Sequence, residues 1–248
     1  TELDAKGAAY QEIVGNNLRG DRGQYFTPRK AIGLMIKMLD PKPEQKFLDP
    51  ACGTGGFAVE AVAHQGRREK ARRKAEDKDP DATVEFMDIQ KFLGEYTQKR
   101  IHGCDFDPFL VRASQMNIVM ASNVLGNIFH VNSLEFPEGH LGGLDDAKKA
   151  LKFASVDIIA TNPPFGSDIP VTDKNILRHY DLAHNWERTD GNEFRNTGAI
   201  KSAVAPEVLF IERCMNWLKP GGRMGIVLPD GILGNPGDEY IRWWVMRH

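Results

Sequence analysis

Five short strand-like runs, each separated from the next by a helical or loop segment, constrain this chain more than any other feature. Lys46 to Asp49 reads as the first strand, and Gly55 to His64 as a helix opening on a glycine loop. Arg100 to Asp105 is the second strand and Pro108 to Ser122 the next helix, with Leu110, Ala113, Met116, Ile118 and Met120 largely buried. Asn127 to His130 is the third strand. Val156 to Thr161 is the fourth, apolar almost throughout, as a central parallel strand covered on both faces must be. A helix over Val204 to Leu218 ends at Lys219-Pro220-Gly221-Gly222, and Arg223 to Leu228 is the fifth strand. Strands alternating with helices predict an α/β fold with a doubly wound, mostly parallel sheet.

The 248 residues allow one large domain or two small ones, with no need of a disulfide or metal staple. Lys and Arg number 32 against 34 Asp and Glu, a formal net charge of −2. That balance argues against a protein that grips nucleic acid by a basic field of its own, though a partner can supply the grip. Cys52, Cys104 and Cys214 are too few and too scattered for a disulfide framework or a metal site, and suit reduced thiols in a cytosolic protein. No apolar run approaches the length of a membrane span, and no basic-then-apolar leader is visible. A chain that starts at Thr1 and stops in Trp243-Trp244-Val245-Met246-Arg247-His248 is expected to be a piece of a longer polypeptide.

Residues 1–22 read as a polar, weakly helical leader, and 23–248 as the main domain. A short helix is expected after Pro28, with Ile32, Met35, Ile36 and Leu39 on one face, stopped by Pro41 and Pro43. Two stretches break the alternation. Residues 66–99 form a charged insertion with Arg67, Arg68, Lys70, Arg72, Arg73 and Lys74 close together; it reads as a solvated helical excursion, or alternatively as a phosphate-contacting arm. Residues 166–203 are polar and read as a long mobile loop, a length that usually marks function or disorder.

An open parallel sheet binds its ligand beyond the carboxyl ends of the strands, where the strand order reverses. After the first strand stand Asp49-Pro50-Ala51-Cys52-Gly53-Thr54-Gly55-Gly56-Phe57, a glycine loop that lets backbone N–H groups approach a ligand, with an acid that can face a cationic group. After the second strand, Asp105 can accept both hydroxyls of a ribose; the charged insertion explains why it lies further from the glycine loop than is usual. After the fourth strand comes Thr161-Asn162-Pro163-Pro164-Phe165. The two prolines fix the backbone and remove two donors, Asn162 adds a carbonyl, and Phe165 an aromatic face. Acceptors beside a stacking ring suit a planar amino group, such as that of a flipped base.

Gly23-Gln24-Tyr25-Phe26-Thr27-Pro28-Arg29, the Asp49 to Phe57 loop and Asn162 to Phe165, in that order, resemble N6-adenine DNA methyltransferases of the gamma arrangement. The wording of the first segment, with Gly221-Gly222-Arg223-Met224 and Leu228-Pro229-Asp230-Gly231, is similar to the modification subunit of type I restriction systems. The likeness runs from about residue 20 to 244. It implies a Rossmann-like methyltransferase fold, cut off after the fifth strand, that uses S-adenosyl-L-methionine and releases S-adenosyl-L-homocysteine.

The resemblance also implies roles. Tyr25, Phe26 and Thr27 would cap the cofactor, and Asp49, Ala51, Gly53, Thr54 and Gly55 would form its loop. Asp105 would take the ribose hydroxyls, and Phe106 would flank the adenine ring. Asn132 and Ser133 would lie by the cofactor's adenine, although the family usually carries Asp where this chain has Asn132, which offers an acceptor without charge. Asn162 would touch both cofactor and base. Asn162, Pro163, Pro164 and Phe165 would hold an extruded adenine for direct methyl transfer to N6. No Pro-Cys pair exists, so cysteine attack on a cytosine ring carbon is excluded. Implied partners are double-stranded DNA, a specificity subunit shared by two modification subunits, and a restriction subunit, in the cytoplasm of a bacterium or archaeon. The alternatives are another amino-group methyltransferase acting on N4 of cytosine, RNA or a protein glutamine, a nicotinamide dehydrogenase, and a non-catalytic module of the same fold.

Overall fold

The runs read as strands pair side by side in a computed structural model that describes residues 27–76, 82–166, 168–191 and 193–248. The leader at 1–22 and the capping residues Gly23, Gln24, Tyr25 and Phe26 lie outside the described residues. The first described helix, α1 (Arg29–Leu39), starts behind Pro28 and buries Ile32, Ile36 and Leu39. Strand β1 (Phe47–Asp49) leads into α2 (Gly56–Ala75), and α3 (Ala82–Arg100) returns to β2 (Ile101–Asp105). Then follow α4 (Pro108–Ser122), β3 (Asn127–His130), α5 (Leu144–Ala150) and β4 (Val156–Thr161). The remainder comprises α6 (Lys174–Leu177), β5 (His184–Arg188), β6 (Phe194–Ile200), α7 (Pro206–Trp217), β7 (Leu218–Ile226), α8 (Asp230–Gly234) and α9 (Glu239–Arg247).

The main sheet has the order β3-β2-β1-β4-β7, and every neighbouring pair is parallel. From β1 the chain winds outward through β2 and β3, then returns to lay β4 on the other side of β1. The order therefore reverses between β1 and β4, where Phe47 pairs with Ile158 and Leu48 with Ile159. Alternate residues of these strands feed opposite faces. Phe47 and Ile158 join the cluster under α1, α2, α3 and α4, whereas Leu48, Cys104 and Ile159 join one built on Trp217, Phe136 and Leu151. Burial on both faces is the reason the strands read as nearly continuous apolar runs.

Several sequence expectations change, among them Met116 and Met120 of α4, expected to be largely buried, which are exposed. The helix expected to end at His64 continues to Ala75, because Glu60, Glu69 and Glu76 pair with the arginines that had looked like the start of an insertion. Within 66–99 the described residues are the second half of α2 and nearly all of α3, with Leu93 and Tyr96 packed into the first core. The segment Lys219-Pro220-Gly221-Gly222 does more than end a helix: it lies within β7, which begins at Leu218 opposite Val156 and shifts register before Arg223 pairs with Ile158.

The polar stretch at 166–203, read as a loop, carries α6 and the antiparallel β5–β6 hairpin. Its few apolar residues account for this. Leu177, Tyr180, Leu182 and Ala183 are fully buried against Val208, Leu209 and Ile211 of α7. A buried polar network adds to the packing: Arg213 donates to the Tyr180 hydroxyl at 2.8 Å and to the Leu134 carbonyl at 3.2 Å. Among the described residues no helix is long and apolar enough to cross a membrane.

Candidate active site

The strand ends at the β1/β4 reversal gather the residues singled out in the sequence. The glycine loop leaves β1 with Gly53 at φ +53° and Gly55 at φ +83°, both left-handed. At Gly53 the space a Cβ would occupy is open, whereas at Gly55 a Cβ would meet the Ser114 Oγ at 2.4 Å, so α4 packs directly under the loop. Asn117, also on α4, donates to the Thr54 carbonyl at 2.9 Å. Ala51 is half-buried, and its N–H donates to the Asp49 carboxylate at 3.2 Å.

The acids of the site brace its loops. Asp49 is 1% exposed, and the Thr161 hydroxyl donates to it at 2.7 Å, tying the end of β1 to the end of β4. Burial pushes the Asp49 carboxyl up to about 7, against the pull of the Thr161 hydroxyl and the Ala51 N–H. An acid expected to face a cationic group thus lies beneath the loop. Asp105 accepts from the Gly53 N–H at 2.8 Å and from the Asp107 N–H at 2.9 Å. Burial pushes its carboxyl up too, and these backbone donors oppose the rise. Its two oxygens together offer about four acceptor positions, and the Phe106 N–H is a further donor to them. Phe106, next along the chain, is 63% exposed and offers its ring to solvent.

Beyond β3, Asn132 and Ser133 make local and bracing contacts. The Asn132 amide donates to Glu135 at 2.8 Å, and its oxygen accepts from the Leu134 N–H at 3.1 Å. The Ser133 hydroxyl is buried and donates to the Pro50 carbonyl at 2.6 Å, which fastens this loop to the glycine loop.

The tetrapeptide after β4 is held at both ends. The Asn162 amide donates to the Thr27 hydroxyl at 2.9 Å, and the Gly166 N–H donates to the buried Glu207 carboxylate at 3.2 Å. Pro163 is buried, Pro164 is exposed, and Phe165 is 37% exposed. The Asn162 Oδ1 is buried and has no hydrogen-bond partner among the described residues. A buried acceptor in that condition is costly unless a donor reaches it. The cysteines are buried free thiols, with Cys104 pushed up to about 12 by burial, so none is an activated nucleophile.

Sequence reasoning missed Glu207, Ser114 and Asn117 as parts of the site and gave Thr161 no role in it. Glu207 follows Pro206 in the first turn of an apolar helix, where an acid reads as an ordinary favourable partner of the helix dipole. No local pattern could have told that it reaches back to Gly166.

The chain is similar to known proteins over nearly its whole length. A family model described as N-6 DNA Methylase matches residues 2–246. The methylase subunit of the type I restriction enzyme StySPI from Salmonella potsdam is 29% identical over 244 residues, which cover 96% of this chain and 38% of that protein. The corresponding EcoKI subunit from Escherichia coli K12 is 28% identical with the same coverage. Among solved structures, a modification subunit assigned to a type I restriction enzyme of Vibrio vulnificus YJ016 superposes with a TM-score of 0.64 at 25% identity, over 97% of this chain and 42% of that one. The chain therefore spans about two fifths of the length of the relatives it matches. With nearly its whole length matched by the family model, the chain belongs to the N-6 DNA methylase family.

Proposed function

We propose that this chain is the methyl-transfer domain of a type I modification subunit, which moves the methyl of S-adenosyl-L-methionine to N6 of an adenine flipped out of double-stranded DNA. The observation that carries this reading is the buried Asn162 Oδ1, without a hydrogen-bond partner among the described residues, at the reversal of the sheet, with the exposed ring of Phe165 three residues on. An amino group supplies the donor that this oxygen lacks, and a base plane supplies the partner for the ring.

The donor set around the glycine loop fits the cofactor. Gly53 leaves open space for a ligand, Asp105 keeps an acceptor position for a ribose hydroxyl, and Phe106 presents a ring. The cofactor supplies an electrophilic methyl group when bound. Asn162 Oδ1 and the Pro163 carbonyl would accept hydrogen bonds from N6 and favour a nitrogen with a localised lone pair. Phe165 would stack on the extruded ring and hold it in line. Such positioning accounts for much of the rate of a direct displacement, about 7 kcal/mol or more of the barrier in well-oriented cases. Asp49, Thr161, Ser133 and Glu207 touch no reactant in this scheme and keep the loops in place.

The near-neutral charge agrees with target reading delegated to a specificity subunit, two modification subunits to one, with a restriction subunit joining further, in a bacterial or archaeal cytoplasm. The test is transfer of labelled methyl to mixed genomic DNA by the full-length subunit with its specificity subunit, followed by nucleoside analysis. Label is expected as N6-methyladenine, and Asn162→Ala is expected to lower the rate by about 100-fold or more. Label in N4-methylcytosine, in RNA or in protein would move the reading to another amino-group substrate.

A further inference from the structure

We infer that the buried carboxyl groups of Asp49 and Asp105 make this site select for a positively charged ligand, so that it holds S-adenosyl-L-methionine in preference to its product, which lacks the sulfonium charge, and that Asp49 sets the preference. The inference rests on the methyl-transfer reading above and deepens it, because there Asp49 only braces the loop.

The two acids end the adjacent parallel strands β1 and β2, and only 1% of Asp49 and 8% of Asp105 is exposed. Elsewhere the chain meets such acids with basic side chains, Asp40 with Lys42, His64 and Arg68, and Glu69 with Arg72 and Arg73. At the strand ends the partners among the described residues are neutral. Asp49 accepts from the Thr161 hydroxyl and the Ala51 N–H, both at Oδ1, and Asp105 accepts from the N–H groups of Gly53, Phe106 and Asp107. The titratable groups that bear on Asp49 add no positive charge. Asp105 is a like charge, and Cys52 in the loop, Cys104 on β2 and Cys214 on α7 are buried thiols that burial keeps protonated. Arg213, the buried cation of α7, donates instead to Tyr180 and the Leu134 carbonyl. The open space above Gly53 is where a ligand can bring the counter-charge.

A charge in this setting acts without contact. Water screens buried groups poorly, so a cation a few ångströms beyond the loop still favours the ionised carboxylate. Without ligand, burial raises Asp49 to about 7, and the group is partly protonated near neutral pH. A sulfonium over the loop draws that carboxyl down and releases a proton, whereas a thioether exerts no such pull. The sign follows from linkage: affinity for the cationic ligand gains as pH rises and Asp49 ionises, and affinity for the product gains nothing from that ionisation. The ammonium and carboxylate of the methionine end are common to both ligands, so comparing the two isolates the charge at sulfur.

The test is calorimetric titration of the full-length subunit with S-adenosyl-L-methionine, with S-adenosyl-L-homocysteine, and with sinefungin, whose amine is a second cationic probe. Between about pH 5.5 and 8.5, the ratio of the product's Kd to that of S-adenosyl-L-methionine is expected to rise roughly 3- to 10-fold, the effect of about half to one pKa unit. Sinefungin should follow S-adenosyl-L-methionine. In Asp49→Asn the ratio should change by less than about twofold over the same range. A second readout needs no variant, and so stands even where Asp49→Asn fails to fold. Titrations of the wild type near pH 7, in two buffers of different ionisation enthalpy, should show more protons released by the two cationic ligands than by the product. Equal proton release by charged and uncharged ligands would overturn the inference, as would a ratio that changes alike in wild type and Asp49→Asn. Failure to bind any of the three ligands would instead remove the methyl-transfer reading, and the inference with it.

Discussion

The acids at the strand ends and the acids that pair with α2 are the same kinds of residue in opposite physical settings. Asp49 and Asp105 sit where β1 and β2 stop, screened from water, and burial raises both carboxyls. Asp40 and Glu69 lie on the helical side, where cations reach them. Lys42, His64 and Arg68 hold Asp40 far below its ordinary value, and Arg72 and Arg73 hold Glu69 down to about 2. The strand-end acids therefore oppose folding when ionised, and the helical acids support it. Poor solvation and backbone donors are the setting of the strand-end acids, and Glu212, which accepts from the Asp181 and Leu182 N–H groups, shares it away from the glycine loop. Glu69, although itself buried, is ringed by the guanidinium groups of Arg72 and Arg73, which hold it ionised.

The strongest way to break the strand-end arrangement is to alter the loop above it. Gly55→Ala puts a Cβ 2.4 Å from Ser114 Oγ at φ +83°. It should destabilise the chain by about 3 kcal/mol or more, read from the denaturant midpoint.

Asp49→Asn sharpens the comparison through pH. Because the folded carboxyl is raised to about 7, the wild type is favoured while the group stays protonated in both states, below about pH 4, and loses stability as pH rises toward 7. Above that the penalty is constant, on the order of a few kcal/mol. Asp49→Asn should show a flatter profile between about pH 4 and 7, measured by chemical denaturation across that range. Equal slopes in the two proteins would remove the burial argument for Asp49.

Thr161→Val deletes the hydroxyl that bridges β1 to β4 and should cost about 1–3 kcal/mol, with a loss of methyl transfer through displacement of Asn162. Restored stability in Thr161→Val/Asp49→Asn would show that the cost is an unpaired carboxylate and not lost packing. The smallest effect is expected at the helical acids. Glu69→Gln should cost about 1 kcal/mol or less near neutral pH, because its partner Arg72 is well exposed. The sign with pH is reversed here: the folded carboxyl is depressed, so the contribution is present above about pH 4.5 and fades as pH falls toward 2. Thermal melts of both proteins at pH 7 and pH 3 check this.

Much of the sheet was legible because its signals are local. Phe47 to Asp49, Ile101 to Asp105, Asn127 to His130 and Val156 to Thr161 lie within a residue of the ranges read from apolar patterning. The full length of α2 was hidden because its second half is held by pairs such as Arg73 with Glu69 and Asp88, and the last of these lies on another helix. The β5–β6 hairpin was hidden because its stretch is polar and owes its order to a handful of residues, Tyr180 and Leu182 among them, buried against α7. At the site, the glycine loop and Asn162 to Phe165 could be picked out by residue type. That Asp49 and Ser133 face inward as braces could not, since their partners Thr161 and Pro50 lie 112 and 83 residues away.

By itself the sequence determined the alternation of strands and helices, the positions of the turns, and the kinds of chemistry each strand end can offer. Those depend on side-chain period, on proline and glycine, and on functional groups that travel with the residue. The tertiary structure alone decided the order of the strands, and with it which strand ends meet. It also decided which acids lose their water and which side chain the Asn162 amide meets. These depend on what each group touches, and a hydrogen bond across 135 residues has no trace in local pattern.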